Sequence, residues 1–158
     1  MALRTILTKG DDILAKKCKP VTKFDKRLHD ILDDMWETMA EANGVGLAGP
    51  QIGILKRMFI ADDGENQLEC INPEIISTED EYEALEGCLS VPGVHGYVLR
   101  PRKTVIKAQN RDGEEYTFEA EGLMAQCLCH ENDHLDGHLF DSKIVRYYEE
   151  EEEEGEEE

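Results

Sequence analysis

Between Gly122 and Leu135 a helical run of apolar residues carries a carboxylate on its apolar side. Leu123, Met124, Cys127, Leu128 and Leu135 recur three and four apart, and Glu131 falls in the same stripe. An ionised group there is costly unless a strong partner meets it. Whatever the chain folds into must therefore build something around Glu131. That residue belongs to His130-Glu131-Asn132-Asp133-His134, an HExxH pattern. Residues i and i+4 stand on one helical face, so two imidazoles can grip one metal ion. Glu131 is turned by about 100° from His130, which sets it beside such an ion, where it can handle the proton of a bound water. A polar, solvent-facing helix would show the same five residues. The apolar residues that bracket the motif, and the terminator Leu135-Asp136-Gly137 right after it, favour the metal reading.

A metal needs at least a third ligand. A downstream histidine in the HExxHxxGxxH pattern would stand at position 140, which is Phe140. His138 lies past the helix terminator Gly137, and a downstream glutamate would have to come from the monotonous acidic C-terminus. Upstream, Cys88 stands in Glu86-Gly87-Cys88-Leu89-Ser90-Val91-Pro92-Gly93, a setting that suits an exposed turn. One cysteine with two histidines and an open fourth position is a catalytic metal set. A lone cysteine is more often a small buried thiol, so composition and spacing alone leave the third ligand open.

Charge narrows the function classes. Lys plus Arg number 17 and Asp plus Glu 36, a formal charge of -19 over 158 residues. Residues 149–158 hold nine Glu and one Gly; without them 17 cations face 27 carboxylates, so the body carries -10. Such a surface repels phosphate backbones and anionic membranes, so neither direct nucleic-acid binding nor a membrane role is expected. The N-terminus has no basic region followed by a long apolar run. The longest uncharged stretch, Gly44 to Leu55, is 12 residues broken by glycines and a proline, against the roughly 20 that a membrane helix needs. Five cysteines (Cys18, Cys70, Cys88, Cys127, Cys129) with no repeated spacing argue against a disulfide framework and fit a reducing, cytoplasmic setting.

The length suits one domain over 1–148, followed by an acidic, disordered tail over 149–158. Asp11 or Asp12 would cap a short helix through Lys17. A helix over Asp25–Asn43 would bury Leu28, Ile31, Leu32, Met35 and Met39, with Asn43-Gly44 as a left-handed stop. Gly44–Gly53 is too rich in glycine for a regular element. Strands are expected over Arg57–Ala61, Leu68–Ile76 (broken at Pro73), Gly96–Arg100, Thr104–Gln109 and Tyr116–Ala120. The expected class is α+β, with short mixed or antiparallel strands packed around a central metal-binding helix.

Three motifs together resemble the peptide deformylase family. They are Gly44-Val45-Gly46-Leu47-Ala48-Gly49-Pro50-Gln51, Glu86-Gly87-Cys88-Leu89-Ser90 and His130-Glu131-Asn132-Asp133-His134-Leu135, in the family's order and over roughly residues 1–148. The family usually has Ala at Gly49, Gln at Cys129 and often Arg at Gln126. Gly49 would loosen the loop that carries Gln51, and Cys129 reads as a small packing residue beside a ligand.

The resemblance implies a metal-dependent hydrolase that removes the formyl group from the N-terminal formyl-methionine of newly made polypeptides. Cys88, His130 and His134 would hold one divalent ion, Fe(II) natively, with nickel, cobalt or zinc as substitutes. Glu131 would move the proton, while the Gln51 amide and the Leu89 N–H would meet the charge on the formyl oxygen. Val45, Gly46 and Gly93 would pair with the substrate main chain. Val45, Leu123, Gln126, Cys127 and His130 would line the methionine pocket. Partners would be N-formylmethionyl peptides and nascent chains leaving the ribosome, met by a monomer. Glu86 and Arg100 would pair behind the site; Asp133 reads either as the acceptor for a histidine ligand or as an exposed helix carboxylate. A zinc endopeptidase that does without Cys88, and a non-catalytic relative, are the competing readings.

Overall fold

The computed structural model describes residues 2–148; the proposed acidic tail over 149–158 lies outside the described residues. The elements are α1 (Lys26–Glu41), β1 (Gly46–Ala48), β2 (Met58–Asp62), β3 (Gln67–Cys88), β4 (Val91–Gln109), β5 (Glu115–Glu121), α2 (Leu123–Leu135) and β6 (Ile144–Tyr147), with short 3-10 turns at Asp12–Ala15, Gly49–Ile52 and Phe140–Lys143. The strands form one antiparallel sheet in the order β1-β2-β3-β4-β5, and β6 pairs with β4. This is an α+β fold.

Why α1 forms is legible in its residues. Asp25 caps it by accepting the Leu28 N–H at 3.1 Å, a contact worth about 1 kcal/mol. Leu28, Leu32, Met35 and Met39 are buried along one face. The helix stops where Asn43 takes a left-handed φ of 56°. That face meets Leu47, Met58, Ile60 and Ile71 on one side of the sheet. Ala48, Phe59, Ala61 and Cys70 point to the other side, where Met124, Ala125, Cys127, Leu128 and Leu135 of α2 pack on them. Neighbouring residues thus alternate between the two helices, and Met58 to Ala61 of β2 are buried throughout. The sheet is the middle layer.

The strands are longer than their local patterns suggest. Arg57–Ala61 becomes Met58–Asp62. The run over Leu68–Ile76 continues to Cys88, and the two stretches 96–100 and 104–109 are one strand, β4. Pro73 does not break β3, because the pairing shifts register between Ile71 and Glu74 and Asn72 there adopts φ 51°. A bulge is one of the few strand positions that tolerates proline. Two short strands arise where none was expected: β1, in the glycine-rich segment, and β6. The short N-terminal helix is a single 3-10 turn capped by Asp11. No helix among the described residues is long and apolar enough to cross a membrane.

Helix α2 is fixed at its end by a backbone contact. Gly137 has φ +82°, and a Cβ there would lie 2.5 Å from the Ala15 carbonyl oxygen. The adjoining segment is tied by Cys18 N–H donating to Leu135 O at 2.8 Å. Gly137→Ala is therefore expected to cost at least about 1–3 kcal/mol from the left-handed φ alone, read as a lower denaturation midpoint with an unchanged slope.

Candidate metal centre

Two elements bring three donors together. Cys88 is the last residue of β3, directly before the two-residue turn Leu89-Ser90 that leads to Val91 of β4. His130 and His134 stand one turn apart on α2, both buried, with ring centroids 5.2 Å apart. One ligand atom from each of Cys88, His130 and His134 lies within 4.8 Å of the others. Cys88 Sγ is 3.4 Å from His134 Nε2. Among the described residues this is the one such group of His, Cys, Asp and Glu. One sulfur and two imidazole nitrogens suit a divalent transition metal.

The surroundings prepare these donors. His134 is a neutral imidazole, its pKa pushed down to about 3 by burial first and by His130 and Arg100 next; its Nδ1 is buried without a hydrogen-bond partner among the described residues. His130 differs. Burial lowers its pKa, but Glu131, Cys88 and Glu86 outweigh burial and raise it. The Nδ1–H of His130 donates to Glu86 Oε1 at 2.8 Å. That bond fixes the ring and leaves Nε2 to face the other donors.

Glu86 is itself held. Arg100 donates through Nε to Oε2 at 2.6 Å and through Nη2 to Oε1 at 3.0 Å, with the Arg100 side chain 4% and the Glu86 side chain 3% exposed. Burial pushes the Glu86 carboxyl up, yet hydrogen bonds from His130 and Arg100 prevail and hold it at about 2. Arg100 reaches on to Asp133 Oδ2 at 2.8 Å. Among the described residues Asp133 bonds neither histidine: it supports Arg100, and Lys143 meets it from outside at 3.1 Å. The expected Glu86–Arg100 pair is present, with the added function of orienting His130.

Glu131 is the buried carboxylate that the sequence made conspicuous. Its carboxyl is pushed up to about 7, chiefly by burial. Oε2 is 3.8 Å from His130 Nε2, and Oε1 has no hydrogen-bond partner among the described residues. Gly46 lies against it: a Cβ on Gly46 would come within 2.6 Å of Glu131 Oε2 and 2.8 Å of Cys127 Sγ, so any larger residue would displace these side chains.

The Gln51 side chain is immobilised at both ends. Its Oε1 accepts the Ala48 N–H at 2.9 Å, and its Nε2 donates to Ser90 Oγ at 3.0 Å, with Cys88 Sγ 3.7 Å away. The turn that carries Gln51 is tightly bonded despite Gly49, with Ile54 N–H donating to Gly49 O at 2.9 Å. Cys129 points to the sheet, 3.6 Å from Thr104 Oγ1.

A cleft of about 390 Å³ opens onto these groups. Val45, Gly46, Gln51, Cys88, Leu89, Leu123, Gln126, Cys127, His130 and Glu131 border it; Gly93 does not. Gly93 sits in the β3–β4 irregularity beyond Cys88, with φ +79°. Leu123 is half-exposed at the cleft rather than buried. Gln126 spends its amide on Leu85 O at 3.0 Å, which joins α2 to the edge of β3. Sequence reasoning missed His95 and Leu85, which also border the cleft. The His95 ring lies where a Cβ on Gly87 would meet it at 2.9 Å, a proximity that only strand pairing reveals.

Comparison with known proteins agrees with the fold. A family model described as polypeptide deformylase matches residues 3–150. The peptide deformylase of Caldicellulosiruptor bescii is 57% identical over 96% of this chain and 92% of its own length. The crystal structure of the Thermotoga maritima peptide deformylase superposes with a TM-score of 0.88 at 42% identity, covering 90% of this chain and 98% of that one. A peptide deformylase from Synechococcus elongatus in complex with actinonin gives 0.86 at 37% identity, covering 89% and 78%.

Replacing Glu86 by Gln keeps its shape and removes the charge that faces His130. Metal affinity is expected to fall about 10–100-fold, measured by competition with a chelator. The folded state should weaken as well, because Arg100 loses its buried counter-charge.

Proposed function

This chain belongs to the polypeptide deformylase family, hydrolases that remove the formyl group from the N-terminus of new polypeptides, and from that premise we propose how its residues divide the work. Cys88, His130 and His134 hold the single metal ion that the family uses. Fe(II) is the native ion, with nickel, cobalt or zinc as substitutes, since a sulfur with two imidazoles accommodates each. When bound, the ion supplies an acidified water, its pKa lowered from about 15.7 toward about 7.

The remaining steps belong to side chains and backbone. Glu131 accepts a proton from the attacking water and returns it to the departing amine. The reading rests above all on its position: a buried carboxylate, one oxygen unpartnered among the described residues, beside the three gathered donors. Charge builds on the formyl oxygen during attack, and the Gln51 Nε2 amide and the Leu89 N–H meet it. Ser90 and Ala48 hold that amide in place beforehand, so little reorganisation is needed as the charge appears.

Val45 and Gly46 pair with the substrate main chain in the manner of an added strand, and Gly93, although outside the cleft lining, would offer its backbone from the hairpin side. Leu123 and Cys127 line the methionine pocket with Val45 and His130, and the stem of Gln126 closes its wall. Residues 1–148 act as one catalytic domain. The enzyme works as a monomer in the cytoplasm on formylated chains leaving the ribosome. Five free cysteines fit that reducing setting.

Protein kept from air and tested on formyl-Met-Ala-Ser should release formate. Glu131→Ala should keep its metal and lose about 10²–10⁴-fold in rate; unchanged release would refute the role given to Glu131. Gln51→Leu should cost about 10²–10³-fold in kcat with the metal retained. Cys88→Ser should lose the ion, whereas an endopeptidase that does without Cys88 would retain it.

A further inference from the structure

A second concavity, of about 640 Å³, lies away from the metal donors. It is walled by the strand-like segment before α1, the first turns of α1 and the stretch that follows the Gln51 turn. Its floor is apolar: Val21, Leu28 and Met58 are buried, and Ile31, Ile54 and Leu55 are partly so. Its rim is basic and exposed: Lys19, Lys23, Arg27 and Lys56.

The charge pattern is unusual for this chain. Residues 16–27 carry six cations against Asp25 alone, +5 within a protein of -19. Outside the rim most cations find carboxylates, among them Arg4 with Asp34, Lys26 with Asp30, Arg57 with Asp136, Arg111 with Glu69 and Arg146 with Glu83. None of the four rim cations has a carboxylate within 4.0 Å among the described residues. The acidic residue in the groove, Asp25, spends an oxygen on the helix cap at Leu28. Four like charges around an apolar floor repel one another, and an acidic partner relieves that repulsion.

The groove is also preformed. Lys19 N–H donates to Leu55 O at 3.1 Å, and Arg57 N–H donates to Lys19 O at 2.8 Å. Val21 exchanges two hydrogen bonds with the Asn72 side chain, at 2.8 and 2.9 Å. A ligand would meet fixed walls, so little ordering cost opposes binding.

We propose that this groove docks an acidic segment of a partner polypeptide, which inserts an apolar side chain between Lys19, Lys23, Arg27 and Lys56. The floor supplies the anchor pocket and the rim supplies the charge complement. Nucleic acid fits less well. No aromatic residue among the described residues borders the groove to stack a base, and the rest of the surface repels phosphate. An anionic membrane fits less well again, because none of the large exposed apolar side chains among the described residues lies here. The chain's own residues 149–158, nine Glu and one Gly, bring charge but no apolar anchor.

The test uses the full chain and fluorescein-labelled peptides of Glu and Asp that contain two leucines. Anisotropy should report binding that weakens steeply as salt rises. Serine in place of the leucines should weaken it about tenfold, as should Lys23→Glu with Arg27→Glu. That double variant should still deformylate formyl-Met-Ala-Ser at the wild-type rate, which shows that its fold is intact. The proposal is overturned if the acidic peptide does not bind, if the double variant binds it equally well, or if an all-glutamate peptide binds as tightly. It is also overturned if a single-stranded RNA or phosphatidylserine vesicles bind the rim and the leucine peptide does not displace them.

Discussion

The buried carboxylate of Glu86 is the constraint on which the site depends. It faces Arg100 on one side and the Nδ1–H of His130 on the other. A carboxylate this deep would be costly alone, and so would the guanidinium. Together they satisfy each other, and the carboxylate's remaining capacity goes to fixing one imidazole. Asp133 extends the chain of contacts by bonding the far end of Arg100. Through this line of charges β3, β4 and α2 are locked in one relative placement. Cys88 lies two residues beyond Glu86 on the same strand, so the bond that orients His130 also sets where the sulfur stands.

The layered fold explains why a buried charged site survives at all. The sheet separates two apolar clusters, one under each helix. The face of α2 that rests on the sheet is apolar, and the candidate metal donors stand where that face turns toward the β3–β4 hairpin. β1 closes the approach from the opposite side, its Gly46 tight against Glu131. Burial on several sides raises the Glu131 pKa toward neutrality and keeps His134 uncharged. The same dry surroundings make the amide of Gln51 a stronger donor than it would be in water.

Much of this was legible in the sequence, because the informative signals are local. The i, i+4 histidines and the carboxylate in an apolar stripe need only one helix. Gly122 and Gly137 bracket that helix, as the pattern indicates. The Gln51 and Cys88 motifs sit in turns whose glycines and prolines announce them. What escaped notice depends on pairing between distant segments. Nothing local says that β3 runs through Pro73 or that 96–100 and 104–109 are one strand; the bulges and the long antiparallel partner decide both. Gly46–Ala48 reads as loop because its strand character comes wholly from β2. Asp133 looked like a candidate partner for a histidine, but its partner, Arg100, lies 33 residues away on β4.

The central claim is that one sulfur and two imidazole nitrogens share a single ion. X-ray absorption at the metal edge, on protein purified and kept without oxygen, tests it most directly. The account predicts one metal per chain with one sulfur scatterer at about 2.3 Å and two nitrogens at about 2.0–2.1 Å when zinc is loaded. A metal shell of nitrogen and oxygen alone, with no sulfur, would contradict it.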